Sequence, residues 1–158
     1  MQDKINPRSR TKSFEGLSNT IYFDTQGIPT IGYGTNIARI SEYEADMLFR
    51  SRFDEAAHSL DNHIDRSYPA EHIPYNVRIA LYDLCYQLGQ PRLMMFKLFW
   101  EAISQANFMQ AAFELINSKY YQQTPKRCML NARMIAQGYK PKEAPGERKL
   151  LEDFASKI

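Results

Sequence analysis

The sequence predicts an α+β protein of two lobes: a small β-hairpin lobe and a larger all-helical lobe, joined by a long helix, with an active-site cleft between them. Three observations carry this expectation. Before Ser41 the apolar residues fall in short β-branched and aromatic runs, Thr20-Ile21-Tyr22-Phe23 and Ile28-Pro29-Thr30-Ile31-Gly32-Tyr33, separated by the turn former Asp24-Thr25-Gln26-Gly27. After Ser41 they recur at three- and four-residue steps, the period of an amphipathic helix. No internal repeat, low-complexity tract or flexible linker divides the 158 residues, so two lobes of one domain fit better than two domains.

The elements follow in order. Asn6-Pro7, a capping residue before proline at the first helical position, opens a helix over 5–15 that Gly16 stops. The hairpin lobe then covers 14–40, with Pro29 confined to an edge or to a strand start. Ser41-Glu42-Tyr43-Glu44 has the spacing of a capping box and opens a helix over 41–65 whose apolar stripe includes Phe53, Leu60 and Ile64. That helix is long enough to serve as a strut between lobes. A loop with Pro69 and Pro74 follows. Val77, Leu81, Leu84, Cys85 and Leu88 make the next apolar face, ended by Gly89-Gln90-Pro91. Helices over 93–103, 108–116, 125–137 and 147–154 complete the helical lobe (66–158 with the N-terminal helix), with breaks at Gly138, Pro141 and Pro145-Gly146.

Composition narrows the function classes. A chain with 44% hydrophobic and 24% charged residues builds its own core without metals or cross-links. Its net charge of +2 suits an anionic surface but is too small to indicate nucleic acid. Cys85 and Cys128 both sit in apolar helical patterns and read as buried free thiols. The first residues carry Asp3, Lys4, Arg8 and Arg10 without an apolar run, so no secretory signal is expected, and no stretch reaches the ~20 apolar residues of a membrane span. His58 and His63 are about 140° apart around a helix and share no face, so with Asp61 and Asp65 they make a solvated surface, not a metal site. Lys119-Tyr120-Tyr121 with Lys126, Arg127 and Arg133 reads as the back wall of a cleft and not as a nucleic-acid patch. No cofactor is implied.

The informative stretch is Phe14-Glu15-Gly16, then Tyr22-Phe23-Asp24-Thr25-Gln26-Gly27, then Thr30-Ile31-Gly32-Tyr33-Gly34. A helix followed by a hairpin folds Glu15, Asp24 and Thr30 toward one edge. Glycoside hydrolysis requires two carboxyl groups: one stays protonated to donate to the leaving oxygen, the other stays ionised to activate water. Glu15, against Phe14 and the helix end, is the expected desolvated acid; Asp24, in a polar turn, is the expected carboxylate; Thr30 offers a hydroxyl to hold a water. Each residue also has an ordinary explanation, as a helix-end Glu, a turn-forming Asp and a strand Thr.

These residues resemble the active-site signature of the phage-type lysozymes, glycoside hydrolase family 24. The similarity covers the Glu-Gly at the helix end, the Tyr-x-Asp-x-x-Gly turn and the Thr-Ile-Gly-x-Gly strand, with Glu15, Asp24 and Thr30 at the family's catalytic spacing. Ser41-x-x-Glu44-Ala45-x-x-Leu48-Phe49, the run from Ala80-Leu81 to Gln87-Leu88-Gly89, and 120–127 are similar to further family motifs, in order along nearly the whole chain. The resemblance implies a two-lobed lysozyme fold and a muramidase that cuts the β-1,4 bond between N-acetylmuramic acid and N-acetylglucosamine. It implies inversion, with Asp24 assisting a water.

By the same resemblance Arg127 pairs with the catalytic Glu. A cation there favours the carboxylate while burial favours the acid, and both directions stay open at the level of sequence. Tyr86, Phe99 and Glu114 align with substrate-contact positions. Tyr86 keeps an aromatic surface, whereas Phe99 and Glu114 replace Ser and Asn and change the chemistry. Thr35 stands where many relatives have His, and the 34–41 connection is shorter than in the family's type member.

The implied partner is bacterial peptidoglycan, acted on by a monomer. Two settings are compatible with the expected lack of a signal: a phage endolysin released through a holin, or an antibacterial effector held by an immunity protein. Nucleic acid and membrane are not expected as partners. The rival class is a binding module on a lysozyme fold that grips peptidoglycan or a protein without cutting, and intact Glu15, Asp24 and Thr30 argue against it.

Overall fold

The computed structural model describes residues 6–67 and 73–138. The first element is helix α1, Pro7–Glu15. Asn6 accepts a hydrogen bond from the Arg8 N–H at 3.0 Å through its side-chain oxygen, satisfying one of the free donors of the first turn. The helix ends at Gly16, whose φ of 69° lets the chain swing directly into strand β1, Ser18–Phe23.

Strands β1, β2 (Pro29–Gly32) and β3 (Thr35–Asn36) form an antiparallel sheet in sequence order. Tyr22 faces Thr30 and Phe23 faces Pro29, with an irregularity in register between Ser18 and Tyr22. Pro29 does stand at a strand start, where it has no N–H to offer and its carbonyl accepts from Ile37 N–H at 2.9 Å. Strand β3 was not foreseen: two residues carry too little alternation to show in a sequence. It makes β2 the central strand and pairs Thr30 with Asn36 on its second side.

Helix α2 runs over Glu42–Ser67. Its capping box is reciprocal: Ser41 N–H donates to Glu44 Oε2 at 2.8 Å, and Glu44 N–H donates to Ser41 Oγ at 3.3 Å. The Ser41 hydroxyl also donates to Glu44 and lowers the pKa of that carboxyl.

Two compact units share the chain, one up to Phe49 and one from Arg50. The first holds α1, the sheet and the start of α2, so α1 groups with the sheet, where the sequence suggested the helical lobe.

The second unit holds the rest of α2 with α3 (Tyr75–Leu88), α4 (Gln90–Leu93), α5 (Lys97–Ser104), α6 (Phe108–Ile116), α7 (Lys119–Gln123) and α8 (Pro125–Ala136). Helices α3 and α6 pack on α8, and α5 packs on α6. Their apolar faces meet in one core that includes Leu81, Leu84, Ile103, Leu115 and Ile135, all fully buried. Each such side chain contributes roughly 1.5–3 kcal/mol relative to an exposed one. Cys85 and Cys128 are buried free thiols, as their patterns indicated. The helix expected over 147–154, with Pro69, Pro141 and Pro145-Gly146, lies outside the described residues.

The helix expected over 93–103 is interrupted. In a continuous helix the Leu93 carbonyl would accept from the N–H of Lys97. Here Lys97 N–H turns to Met95 O at 3.0 Å, and the Leu93 carbonyl accepts instead from Phe96 N–H and from the Trp100 indole N–H at 2.9 Å. A tertiary bond from one side chain thus replaces the helical one and ends α4.

Candidate active site

The small unit holds all three residues expected to do the chemistry. Glu15 is the last residue of α1 and is exposed. A Cβ placed on Gly34 would lie 2.8 Å from Glu15 Oε2, so the carboxylate rests against the bare backbone of the β2–β3 turn. Gly34 also has φ +75°, a conformation that favours glycine for a second, independent reason. One turn back on α1, the Lys12 ammonium sits 4.8 Å from the Tyr33 ring centroid. The end of α1 is therefore tied to Tyr33-Gly34 twice. The hydrophobic wall expected from Phe14 is corrected: that ring is 77% exposed, with the Arg10 guanidinium 5.8 Å from its centroid, and desolvates little.

Asp24 and Thr30 are joined through one residue. Asp24 Oδ1 accepts from the Gln26 N–H at 2.8 Å and from the Ile28 N–H at 2.9 Å. The Ile28 carbonyl in turn accepts from Thr30 Oγ1 at 3.0 Å, and from the Asp24 backbone N–H at 3.0 Å. The ordinary turn-forming role of Asp24 is thus real, but it occupies only Oδ1. Among the described residues no hydrogen bond falls on Oδ2. Thr30 is 4% exposed, a buried hydroxyl whose single proton goes to Ile28, leaving lone pairs that can accept. Because Tyr22 faces Thr30 and the Asp24 N–H bonds the Ile28 carbonyl, Asp24 and Thr30 sit on one face of the hairpin.

The second unit carries the remaining candidates. Tyr86, on α3, is half-buried with its ring centroid 6.1 Å from that of Phe53, and with Arg52, Glu55 and Pro91 it lines a groove of about 280 Å³. Glu114, on α6, is half-buried and accepts from Gln110 Nε2 at 2.6 Å. Phe99 requires correction: at 1% exposure it is a core residue stacked edge-to-face on Trp100, with no surface to present to a substrate. Its position falls on the buried face of α5, which resemblance to a contact position does not reveal.

Arg127 is half-exposed on α8 and grips Asp83 of α3 with both arms of its fork. Nε donates to Oδ2 at 2.9 Å and Nη2 to Oδ1 at 2.6 Å. Asn131 Nδ2 adds a third bond to Asp83 Oδ2 at 2.7 Å. These bonds, that from Arg127 foremost, hold the Asp83 carboxyl below its ordinary pKa against the opposing effect of burial, and the pairing raises that of Arg127. Tyr120 donates to Gln87 Oε1 at 2.5 Å, joining α7 to the same side of α3. Asp83 and Asn131 escaped the sequence reading. The signal available was the helical spacing of Asp83 with Gln87 and of Arg127 with Asn131, but nothing local says that the two helices meet.

Among the described residues no three His, Cys, Asp or Glu side chains converge as metal ligands, and no helix is long and apolar enough to cross a membrane. A helix-end Glu and a hairpin that fixes an Asp and a Thr put two carboxyl groups in one small unit, the pair that glycoside hydrolysis requires. Residues 12–133 match the family model described as phage lysozyme. Two proteins of Dictyostelium discoideum are similar: probable T4-type lysozyme 2 is 28% identical over 141 residues, covering 72% of this chain and 83% of the relative. Probable T4-type lysozyme 1 is 25% identical over the same length and coverage. The chain belongs to the phage lysozyme family, in which the helix–hairpin unit and the helical unit are the two parts of an α+β lysozyme fold. Membership supports muramidase chemistry with peptidoglycan as substrate.

Proposed function

We propose that the protein hydrolyses the β-1,4 bond between N-acetylmuramic acid and N-acetylglucosamine with inversion at the anomeric carbon, and so causes bacterial lysis. Glu15 is the general acid that protonates the leaving glycosidic oxygen. Asp24 takes a proton from the attacking water through Oδ2, the oxygen that the turn leaves open. Thr30 accepts the second hydrogen of that water, because its own proton is committed to Ile28. The water is then left with a lone pair directed away from both, toward the sugar.

The backbone of Ile28 supports this reading most strongly, since its N–H donates to Asp24 and its carbonyl accepts from Thr30. Tyr86, Glu114 and Arg127 are the substrate-side candidates of the helical unit. The enzyme reaches the cell wall after delivery, as a phage endolysin or as an antibacterial effector.

The test is release of reducing ends from purified peptidoglycan by the wild type and by Glu15→Gln. The variant keeps the shape of Glu15 against Gly34, so it should fold normally and lose activity by a factor of about 10³ or more. Lysis that survives the change overturns the assignment of the acid. Proton NMR of the first sugar released should show the α-anomer; the β-anomer overturns inversion.

A further inference from the structure

The ion pair of Arg127 with Asp83 is too well made for its setting. Both side chains are about two-fifths exposed, and an ion pair at that exposure adds little to stability. Yet three donors converge on one carboxylate, and one of them comes from Asn131, a polar side chain only 4% exposed. Asn131 prevents the carboxylate from turning, and the carboxylate prevents the guanidinium from turning. A guanidinium has five N–H groups, of which Asp83 takes two; among the described residues of the helical unit no side-chain acceptor takes the other three. The outcome is a planar donor edge held at a fixed angle on a surface shared by α3 and α8. The neighbouring carboxylate neutralises most of its charge. Such an edge recognises oxygen acceptors by direction, not by long-range attraction.

We propose that Asp83 is a positioning residue for substrate binding: it fixes Arg127 so that the remaining N–H edge meets a carbonyl or carboxylate oxygen on the N-acetyl or stem-peptide substituents of the glycan strand. The inference rests on the muramidase reading. Wild-type activity tests that reading, and the Asp83 variants test the inference.

The experiment compares the wild type with Asp83→Asn, Arg127→Lys and the swapped pair Asp83→Arg/Arg127→Asp, using sonicated peptidoglycan over a range of concentrations. A cosedimentation assay on insoluble walls, in a Glu15→Gln background, reads binding without turnover. Asp83→Asn keeps the shape but frees the fork, and KM should rise about tenfold with kcat within about twofold, the size of one charge-assisted hydrogen bond. Its binding should also become more salt-sensitive, because the Arg127 charge is no longer balanced. Arg127→Lys keeps the charge and loses the planar edge, so it should show the same rise in KM. The swapped pair should recover the melting temperature and keep the raised KM. A merely structural pair would recover both, and that result overturns the inference. So does a wild-type KM in a folded Asp83→Asn or Arg127→Lys protein.

Discussion

The Glu15 carboxylate lies against Gly34, with Oε2 only 2.8 Å from where a Cβ on that residue would stand. The catalytic candidate is thus seated by an absence of side chain. A methyl group there would meet the carboxylate and also strain a backbone held at φ +75°. We expect Gly34→Ala to cost about 1–2 kcal/mol of stability from the backbone and to lower kcat tenfold or more by moving the proposed acid. Thermal melting and peptidoglycan turnover measured together check both parts; wild-type turnover in the variant would show that the seat is unimportant.

Asp24 holds the turn through Oδ1 and, in the proposed mechanism, takes a proton through Oδ2; substitution separates the two. Asparagine retains a carbonyl oxygen that can accept from Gln26 and Ile28, so Asp24→Asn should melt within a few degrees of the wild type and be almost inactive. Asp24→Ala loses the turn as well and should cost about a further 1–2 kcal/mol. Equal melting temperatures for the two variants would show that the turn bonds carry no weight.

Thr30 has a parallel test. Thr30→Ser keeps the hydroxyl bonded to Ile28, whereas Thr30→Val removes one of the two donors to that carbonyl and leaves it the Asp24 N–H. We expect the serine variant to retain measurable turnover. The valine variant should lose most of it and about 1 kcal/mol of stability in chemical denaturation.

Acid should dismantle the Asp83–Arg127 pair in a defined window. The folded pKa of Asp83 lies below its unfolded value of about 4, so the pair contributes fully above that value. The contribution fades as pH falls through the lower, folded pKa. The difference in melting temperature between wild type and Asp83→Asn should be constant from about pH 5 to 7 and close as the pH drops below about 4. A difference that widens in acid would reverse the sign of the linkage.

Burial pushes the Cys128 thiol up to about 12 and raises that of Cys85. Reactive thiolate at pH 8 is then about one part in 10⁴ for Cys128. A disulfide reagent should label neither cysteine in the native protein and both in denaturant. Stoichiometric native labelling would show that the core around α3 and α8 opens readily.

Local features were legible in the sequence, and tertiary ones were not. Asn6-Pro7, Gly16 and the box of Ser41 with Glu44 appeared where expected because each is satisfied within four residues of itself. The turn from Asp24 to Gly27 was legible for the same reason. Strand β3 was too short to have a period. The break after Leu93 is imposed by Trp100, seven residues on, through a bond that no window of apolar residues displays. Phe99 was misplaced because a match to a contact position says nothing about which way a helix face turns. The grip of Arg127 on Asp83 spans 44 residues and depends on two helices meeting.

The backbone of Ile28 has a consequence for anyone wishing to redesign this protein. Asp24, Ile28 and Thr30 are interlocked through consecutive bonds on one short stretch of chain. The segment can be grafted or inherited whole, but it has no seam at which a residue could be inserted without disturbing a carboxylate and a hydroxyl together.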